Sequence, residues 1–511
     1  MSDSLLITTI TLAYLLIVLA VGLRARHNQS SSLEGYVAGG RHMGLLVLFF
    51  ILGAEIFSAF AFLGAPGWAY SKGAPALYII AYLALAVIVW WLIAPHISRL
   101  GRRHGFLTQA EFLSACYPTR GNLLGLFIGV VSVLAMIPYL TIQIAGAGLL
   151  FEAATSGTIP FWLGSLLACG VVAAYVYASG LQGIGWTNLL QGVMMVGVAW
   201  FLGLATADQF FGGVGEMFRE LQREAPEYLT MPGAGGMGWG AFSTAILVSA
   251  LGCVMWPHIF MKFYSARSER TLKQVFVLYP LYSYLLVPLL VIGFAGVLLL
   301  EDSPLDSADR VLLTLVVELA DFPAWLIGIA LSGALAAAMS TAANLAHTSA
   351  TILVRDVGQH LPVLRGISDD KALRLTRYGV VVISLAAYLL ALAQPWLIGW
   401  LVTRRLWHRG AVAADAAWRT ILAASITLWC LCRFSSRRGS NPIVPVWGQY
   451  SIRLARWLLW PSRQYRSIHR RESRDTQCII VLTGSGSQLQ RLTLGFNALS
   501  WLPRPWLRRG R

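Results

Sequence analysis

The sequence predicts an all-α, polytopic membrane protein. The chain of 511 residues is 57% hydrophobic and only 12% charged, about half of the charged share of a typical soluble protein. Ten apolar segments recur over the first four fifths of the chain, each near or above the roughly 20 residues that a helix needs to cross a bilayer. We expect these segments at residues 5–23, 43–70, 76–97, 123–150, 160–179, 187–207, 240–261, 276–300, 311–353 and 377–396.

The basic residues between these segments predict the orientation. When the loops are assigned alternately to two sides, 16 Lys or Arg, including Lys262, fall on one side and 4 on the other. We expect a multi-pass protein of the cell (inner) membrane. Because cytoplasmic loops are enriched in Lys and Arg, its N-terminus is expected on the outer side of that membrane. The first segment shows no cleavage pattern and is followed by Arg24 and Arg26, so it is predicted to remain as a membrane helix.

The second segment contains an acidic residue and residues that interrupt a helix. Glu55 lies near its centre, between Gly53 and Pro66, where a carboxylate costs roughly 2.5–3.5 kcal/mol on insertion scales. One interpretation is a protonated or hydrogen-bonded acid that holds helices together. The other is a group that attracts a cation to a water-filled cavity, next to backbone carbonyls that a broken helix exposes.

Two later segments support the interpretation that Glu55 attracts a cation. The stretch LVSALGCVMWPHIF (247–260) repeats the combination of a glycine and a proline, at Gly252 and Pro257. Paired interruptions in two halves of a chain are typical of inverted-repeat transporters. In the ninth segment, Ser340 and Thr341 place two hydroxyls in succession. Such hydroxyls commonly bond their own helix, but they are also oxygen ligands suited to a hard cation such as Na⁺.

Four stretches together resemble the sodium/solute symporter family, which includes sodium-coupled proline, pantothenate, sugar and monocarboxylate carriers. The resemblance covers roughly residues 1–396 and implies a leucine-transporter-like fold, with two inverted five-helix repeats after one extra N-terminal helix. The second repeat is expected to be incomplete. The stretches are EGYVAGGRHMG (34–44), GAEIFSAFAFLGAPG (53–67), YASGLQGIGWTNLLQGVMM (177–195) and LAAAMSTAANLAHTSATILVRDV (335–357).

The resemblance also implies a sodium site, with Glu55 on the path of the ion. Its ligands would be three backbone carbonyls and two hydroxyls, from Gly53, Ile56, Ala337, Ser340 and Thr341. The chain departs from the family at Asn188 and Asn344, where many relatives have Asp. Each change removes a charge that could assist coupling, so proton coupling through Glu55 stays open beside Na⁺ coupling.

The substrate is predicted only as a small polar organic solute, with a carboxylate as one candidate. The sequence shows no P-loop, zinc motif or catalytic triad, and GAGGMG (233–238) lacks the βαβ context of a dinucleotide site. We therefore expect neither an enzyme nor any cofactor beyond Na⁺ as coupling ion. The expected lining of a substrate cavity is Phe57, Ser58, Phe60, Tyr139, Gln143 and Trp256.

These observations predict a secondary active symporter that couples inward Na⁺ movement to solute uptake. Its expected partners are membrane lipid, Na⁺ and the solute, without nucleic acid, and the sequence does not predict an oligomeric state. Two alternatives remain open. One is a membrane sensor that uses a symporter-like module, although the chain lacks a recognisable signalling domain. The other is a truncated or frameshifted symporter that does not function.

The second alternative rests on an abrupt change of composition. Residues 1–396 carry 20 basic and 20 acidic residues, whereas residues 397–511 carry 19 Arg, no Lys and 3 acids, so the whole net charge of +16 lies in the tail. The tail also contains 9 of the 19 tryptophans. We expect a transporter domain over residues 1–396 and an atypical tail over residues 397–511, irregular in structure and read from a shifted frame.

Overall fold

Helices make up nearly all of the described protein. The computed structural model describes residues 3–28, 32–301, 305–393, 478–482 and 490–494. The helices are α1 (Asp3–Arg24), α2 (Leu33–Ala38), α3 (Leu45–Ile56), α4 (Ala65–Lys72), α5 (Tyr78–His104), α6 (Gln109–Cys116), α7 (Leu123–Ala154), α8 (Phe161–Phe211), α9 (Val214–Glu224), α10 (Trp239–Cys253), α11 (Pro257–Lys262), α12 (Glu269–Ser283), α13 (Leu286–Leu299), α14 (Val311–Leu313), α15 (Ala324–Ile352) and α16 (Asp369–Leu392). This confirms the predicted all-α class for the described part of residues 3–393.

Each of the ten predicted segments overlaps a helix. Among the described residues, seven helical stretches are long and apolar enough to cross a membrane, and the bent pair of α3 with residues Phe60–Lys72 makes eight if it counts as one span. The short apolar helix α10 and the two halves of α8 account for the remaining predicted segments. The predicted boundaries differ most at 276–300, which the structure begins at Glu269 and interrupts after Ser283.

The predicted segments 160–179 and 187–207 form one helix of 51 residues with a kink at Gly180. Gly180 has φ 50° and ψ −140°, a conformation that a residue with a Cβ adopts only under strain. A Cβ there would also lie 2.6 Å from atoms of Tyr36. Close packing on Tyr36 and the positive φ together explain why glycine stands at this kink.

The predicted segment 311–353 is two elements rather than one. Val311 to Leu319 forms a short helical stretch, residues 320–323 are non-helical, and α15 begins at Ala324. Pro323 is the N-cap of α15 with an extended backbone, and a proline also disfavours the helical conformation in the residue before it, here Phe322. Glu318, Asp321 and Pro323 lie at or beside this break, so the prediction of one continuous segment overlooked two charged residues and a proline.

Helix α15 lies at the centre of the helical part. Every residue from Ala330 to Ile352 is buried, and the helix packs against α1, α7, α8 and α16. Small residues permit this close approach: a Cβ added at Gly333 would lie 2.7 Å from the Val198 side chain of α8. A helix buried on all sides places its few polar side chains inside the bundle, where they can form a site.

The tail contains two strands that pair with each other. β1 (Cys478–Leu482) and β2 (Gln490–Leu494) are antiparallel, with Cys478 opposite Leu494 and Leu482 opposite Gln490. These ten residues form regular strands, and the expectation of an irregular or poorly packed tail stays a prediction. The other residues to which that expectation applies, and the predicted gap in the second repeat, lie outside the described residues.

Candidate cation site at a broken helix

The break after α3 is held by side chains as well as by backbone. Helix α3 ends at Ile56, and the chain resumes as a helix at Phe60 with a bend of 55°. The amide of Ala59 donates a hydrogen bond to Gln143 Oε1 of α7 at 2.9 Å, and the amide of Phe60 donates to Ser58 Oγ at 3.2 Å. The predicted interruption is therefore present, and polar side chains satisfy its freed amide groups.

Two consecutive hydroxyls of α15 meet two consecutive carbonyls of α3. Ser340 Oγ lies 2.8 Å from Ala54 O, and Thr341 Oγ1 lies 2.8 Å from Glu55 O. Ser340 Oγ also lies 3.0 Å from Ala337 O of its own helix. The last carbonyls of a helix lack helical partners, so the end of α3 leaves these oxygens available to side chains and ions.

Five oxygens thus form two hydrogen-bonded groups where α15 meets the end of α3: Ser340 Oγ with the carbonyls of Ala54 and Ala337, and Thr341 Oγ1 with the carbonyl of Glu55. All five residues are buried. Uncharged oxygen donors in a buried position suit a hard monovalent cation, because they replace its water without adding net charge. The donor set therefore fits Na⁺.

The structure brings together three of the five predicted sodium ligands, namely Ala337, Ser340 and Thr341. The carbonyl of Gly53 accepts the amide of Phe57 at 3.4 Å, and that of Ile56 accepts the amide of Ser58 at 3.1 Å. The hydroxyls contact the two carbonyls between them instead. Sequence reasoning missed these two, although a pair of adjacent hydroxyls facing a helix end could have suggested a pair of adjacent carbonyls.

Glu55 is paired with a lysine that the sequence placed elsewhere. Lys262 Nζ lies 3.9 Å from Glu55 Oε1, and both side chains are almost completely buried, at 2% and 0% exposure. Lys262 was expected in a cytoplasmic loop, and this expectation is wrong. The lysine ends α11, which packs against α3, α6 and α15. The position of Lys262 at the edge of an apolar segment did not predict its contact with Glu55.

The two asparagines that replace the family's acids are both buried. Asn344 Nδ2 donates to Ser340 O at 3.0 Å, which places this amide directly beside the oxygen cluster. Asn188 lies on α8, and its side-chain amide has no hydrogen-bond partner among the described residues. Both uncharged polar side chains therefore lie inside the bundle.

The residues predicted to line a substrate cavity have four different surroundings. Tyr139 and Trp256 are edge to face, with ring centroids 5.2 Å apart, and Trp256 lies 5.0 Å from the ring of His258. Gln143 and Ser58 act at the break itself, as described above. The ring of Phe57 packs 5.3 Å from Tyr282 in the interior, while Phe60 is 39% exposed.

A second broken helix lies at the position that the sequence predicts. Helix α10 ends at Cys253, and α11 begins at Pro257 after the extended residue Trp256. The amide of Met255 donates to Gly252 O at 2.9 Å, and the amide of Phe260 donates to Trp256 O at 2.9 Å. Glycine and proline therefore mark an interruption in both predicted segments.

Comparison with known proteins agrees with this architecture. The family model described as "Sodium:solute symporter family" matches residues 36–422. The chain is 32% identical over 376 residues to the symporter YhjB of Bacillus subtilis (strain 168), covering 73% of this chain and 74% of that protein. It is 28% identical over 425 residues to the sodium/pantothenate symporter of Escherichia coli (strain K12), covering 80% and 83% of the two chains.

A solved structure supports the fold independently. The substrate-bound, outward-open structure of a Na⁺-coupled sialic acid symporter superposes with a TM-score of 0.68 at 17% identity, covering 84% of this chain and 86% of that one. Its leucine-transporter-like architecture is the one that the broken helices and the central α15 predict. The chain therefore belongs to the sodium:solute symporter family and is a multi-pass transporter of the cell membrane that couples solute uptake to Na⁺.

Proposed function

We propose that the chain moves Na⁺ inward through the oxygen cluster at the end of α3 and uses this movement to take up a small organic solute. The observation that carries the proposal is the pair of contacts from Ser340 and Thr341 to the carbonyls of Ala54 and Glu55, both at 2.8 Å. In that pair of contacts, each hydroxyl oxygen keeps free lone pairs. Rotation of its proton away from the carbonyl lets both oxygens face one ion.

The location of the cluster links ion binding to a movable element. Its carbonyls belong to the first half of a bent helix, and its hydroxyls belong to the central helix α15. An ion held between them joins α3 to α15, and its departure leaves only the hydroxyl contacts. We infer that Na⁺ occupancy sets the position of the broken helix, and with it access for the solute.

The proposed solute is small and organic, and it carries a carboxylate. The similar proteins include a monocarboxylate transport permease of Rhizobium johnstonii and the sodium/pantothenate symporter of Escherichia coli, whose substrates are carboxylates. In this chain, Tyr139 and Trp256 place two aromatic rings on the same side as Gln143, which bonds the break. We place the solute between these rings and the break, next to the end of α3 whose carbonyls belong to the sodium cluster.

The double substitution Ser340→Ala with Thr341→Ala tests the sodium site, because it removes two of the five oxygens. The full chain is reconstituted in vesicles, and uptake of labelled proline, pantothenate and lactate is measured against Na⁺ concentration. We expect the apparent Na⁺ affinity to fall at least tenfold, which corresponds to about 1.4 kcal/mol.

The matched control is Ser332→Ala with Thr351→Ala, which removes two buried hydroxyls from the same helix. Both of these bond carbonyls of their own helix, at 2.8 Å from Gly328 O and His347 O, so Na⁺ dependence should be retained. Unchanged Na⁺ dependence in the Ser340 and Thr341 variant would reject the site. Uptake driven by a proton gradient in the absence of Na⁺ would favour the proton-coupled alternative.

We also propose that the transporter domain and the tail are distinct regions with a boundary near residue 396. The change in charge supports this division, since all of the net charge of +16 lies beyond it. The family match continues to residue 422, so family-like sequence extends a short way past the change. Whether a shifted frame explains the tail stays a prediction, because residues 394–477 lie outside the described residues.

A further inference from the structure

The buried pair of Glu55 and Lys262 is not explained by the oxygen cluster. The two groups lie 3.9 Å apart and are almost fully buried, and an unpaired charge in such a place is strongly destabilising. Each therefore serves as the counter-charge of the other. Neither carboxylate oxygen of Glu55 has a hydrogen-bond partner among the described residues, so the carboxylate keeps its capacity to face another cation.

Glu55 also belongs to the sodium cluster through its backbone. Its carbonyl oxygen is 2.8 Å from Thr341 Oγ1, while its side chain faces Lys262. An ion among the five oxygens would add a second positive charge close to the same carboxylate. Like charges repel strongly where water is excluded, so the ammonium group and a bound ion cannot both rest there without cost.

Lys262 belongs to a short helix, α11, whose position depends on the ion pair with Glu55. It is the last residue of α11, a helix of six residues that follows the break at Trp256 and packs against α3, α6 and α15. Displacement of the ammonium group from Glu55 therefore acts on α11 directly. The second broken helix is thereby connected to the ion site of the first.

We propose that Lys262 is a tethered cation that competes with Na⁺ for Glu55, so that Na⁺ binding at the first broken helix releases α11 of the second. Lys262 is in this sense a positioning residue of the transport cycle, and the inference rests on the sodium site proposed above. The ammonium group neutralises Glu55 when Na⁺ is absent. When Na⁺ arrives, it takes over this role, and the lysine with its helix is free to move.

Equilibrium binding of ²²Na⁺ to the purified full chain in detergent tests the proposal. Lys262→Met keeps the length of the side chain and removes its charge, so Na⁺ should bind at least tenfold more tightly. Lys262→Arg keeps the charge and should bind Na⁺ within threefold of the parent. A purely structural lysine would give the opposite result for Lys262→Met, with weaker or unchanged Na⁺ binding.

The same substitution in a Glu55→Gln background shows whether the shared acid is responsible. Lys262→Met should tighten Na⁺ binding clearly less in the Glu55→Gln background than in the parent, because no carboxylate remains to be shared and only the repulsion between the ammonium group and the ion is relieved. Equal tightening in both backgrounds would overturn the proposal, and so would an unchanged affinity of Lys262→Met. If the methionine variant does not fold, Lys262→Gln offers the same neutralisation with a polar tip.

The outcomes separate this inference from the proposed function. Loss of the Ser340 and Thr341 hydroxyls without any loss of ²²Na⁺ binding would reject the sodium site itself. Weakened binding in that variant, together with no response to Lys262→Met, would retain the sodium site and reject competition by the lysine.

Discussion

The two broken helices share a sequence pattern but differ in what surrounds the break. The break after α3 is contacted by Gln143 from α7, and the hydroxyls of Ser340 and Thr341 meet the carbonyls just before it. The helix itself is largely buried, from Leu48 to Glu55 on its inner side. Contacts from two other helices, α7 and α15, therefore act on this break.

The break after α10 is formed by local backbone contacts, between residues that are neighbours in the sequence. A turn between Gly252 and Met255 ends the helix, and Pro257 begins the next one as its first residue, a position that proline favours. Of the residues of α10, only Ala250 and Cys253 are buried. The comparison teaches that a glycine and a proline suffice to interrupt a helix, whereas a binding site also needs polar groups from other elements.

The largest expected effect distinguishes the glycines of the two breaks. A Cβ at Gly53 would lie 2.8 to 3.0 Å from ring atoms of the buried Tyr282, whereas a Cβ at Gly252 would meet nothing within 4 Å. We expect Gly53→Val to destabilise the purified protein by about 3 kcal/mol through overpacking. Gly252→Val should change stability by less than about 0.5 kcal/mol, because the added side chain enters open space and overpacks nothing.

Thermal unfolding in detergent measures both variants under the same conditions. A clear fall in Tm for Gly53→Val with an unchanged Tm for Gly252→Val would sharpen the comparison. Equal losses at the two positions would mean that the second break is packed as tightly as the first, against the contrast drawn here.

The next effect concerns the side chain that reaches into the first break. Gln143→Leu leaves the buried amide of Ala59 without its acceptor at 2.9 Å, and an unsatisfied buried donor costs about 2 kcal/mol. Gln182→Leu is the matched control, since Gln182 makes a longer bond of 3.4 Å to Gly39 O away from the break. A Tm of Gln143→Leu no lower than that of Gln182→Leu would show that the break does not depend on this acceptor.

The smallest effect lies within the break. Ser58→Ala removes the hydroxyl that accepts the amide of Phe60 at 3.2 Å, a local bond with a net value of about 1 kcal/mol. We expect a small fall in Tm and an unchanged affinity for Na⁺, because Ser58 Oγ is not among the five oxygens of the cluster. A tenfold loss of ²²Na⁺ binding would instead place this hydroxyl in the ion site.

Much of the helical architecture could be predicted from the sequence, because membrane spans need long apolar runs. The ten segments and the two interruptions follow from local composition and spacing, whereas the sodium site at Ser340 and Thr341 was implied by the family resemblance and stays a prediction. The boundaries failed at residues 320–323, where Asp321 and Pro323 stand at a break inside a longer, mainly apolar segment. Hydropathy records the environment of a segment, but it does not record where the backbone leaves the helical conformation.

The contacts of the site were decided only by the tertiary structure. The sequence by itself determined that two hydroxyls and an acid lie at membrane depth, and that the helix carrying the acid is interrupted. It did not determine that the hydroxyls meet Ala54 and Glu55, or that Lys262 is buried beside Glu55. A helix buried on all sides, such as α15, has no apolar face to define its rotation. Close packing, such as Gly333 on Val198, sets that rotation and so determines which oxygens converge.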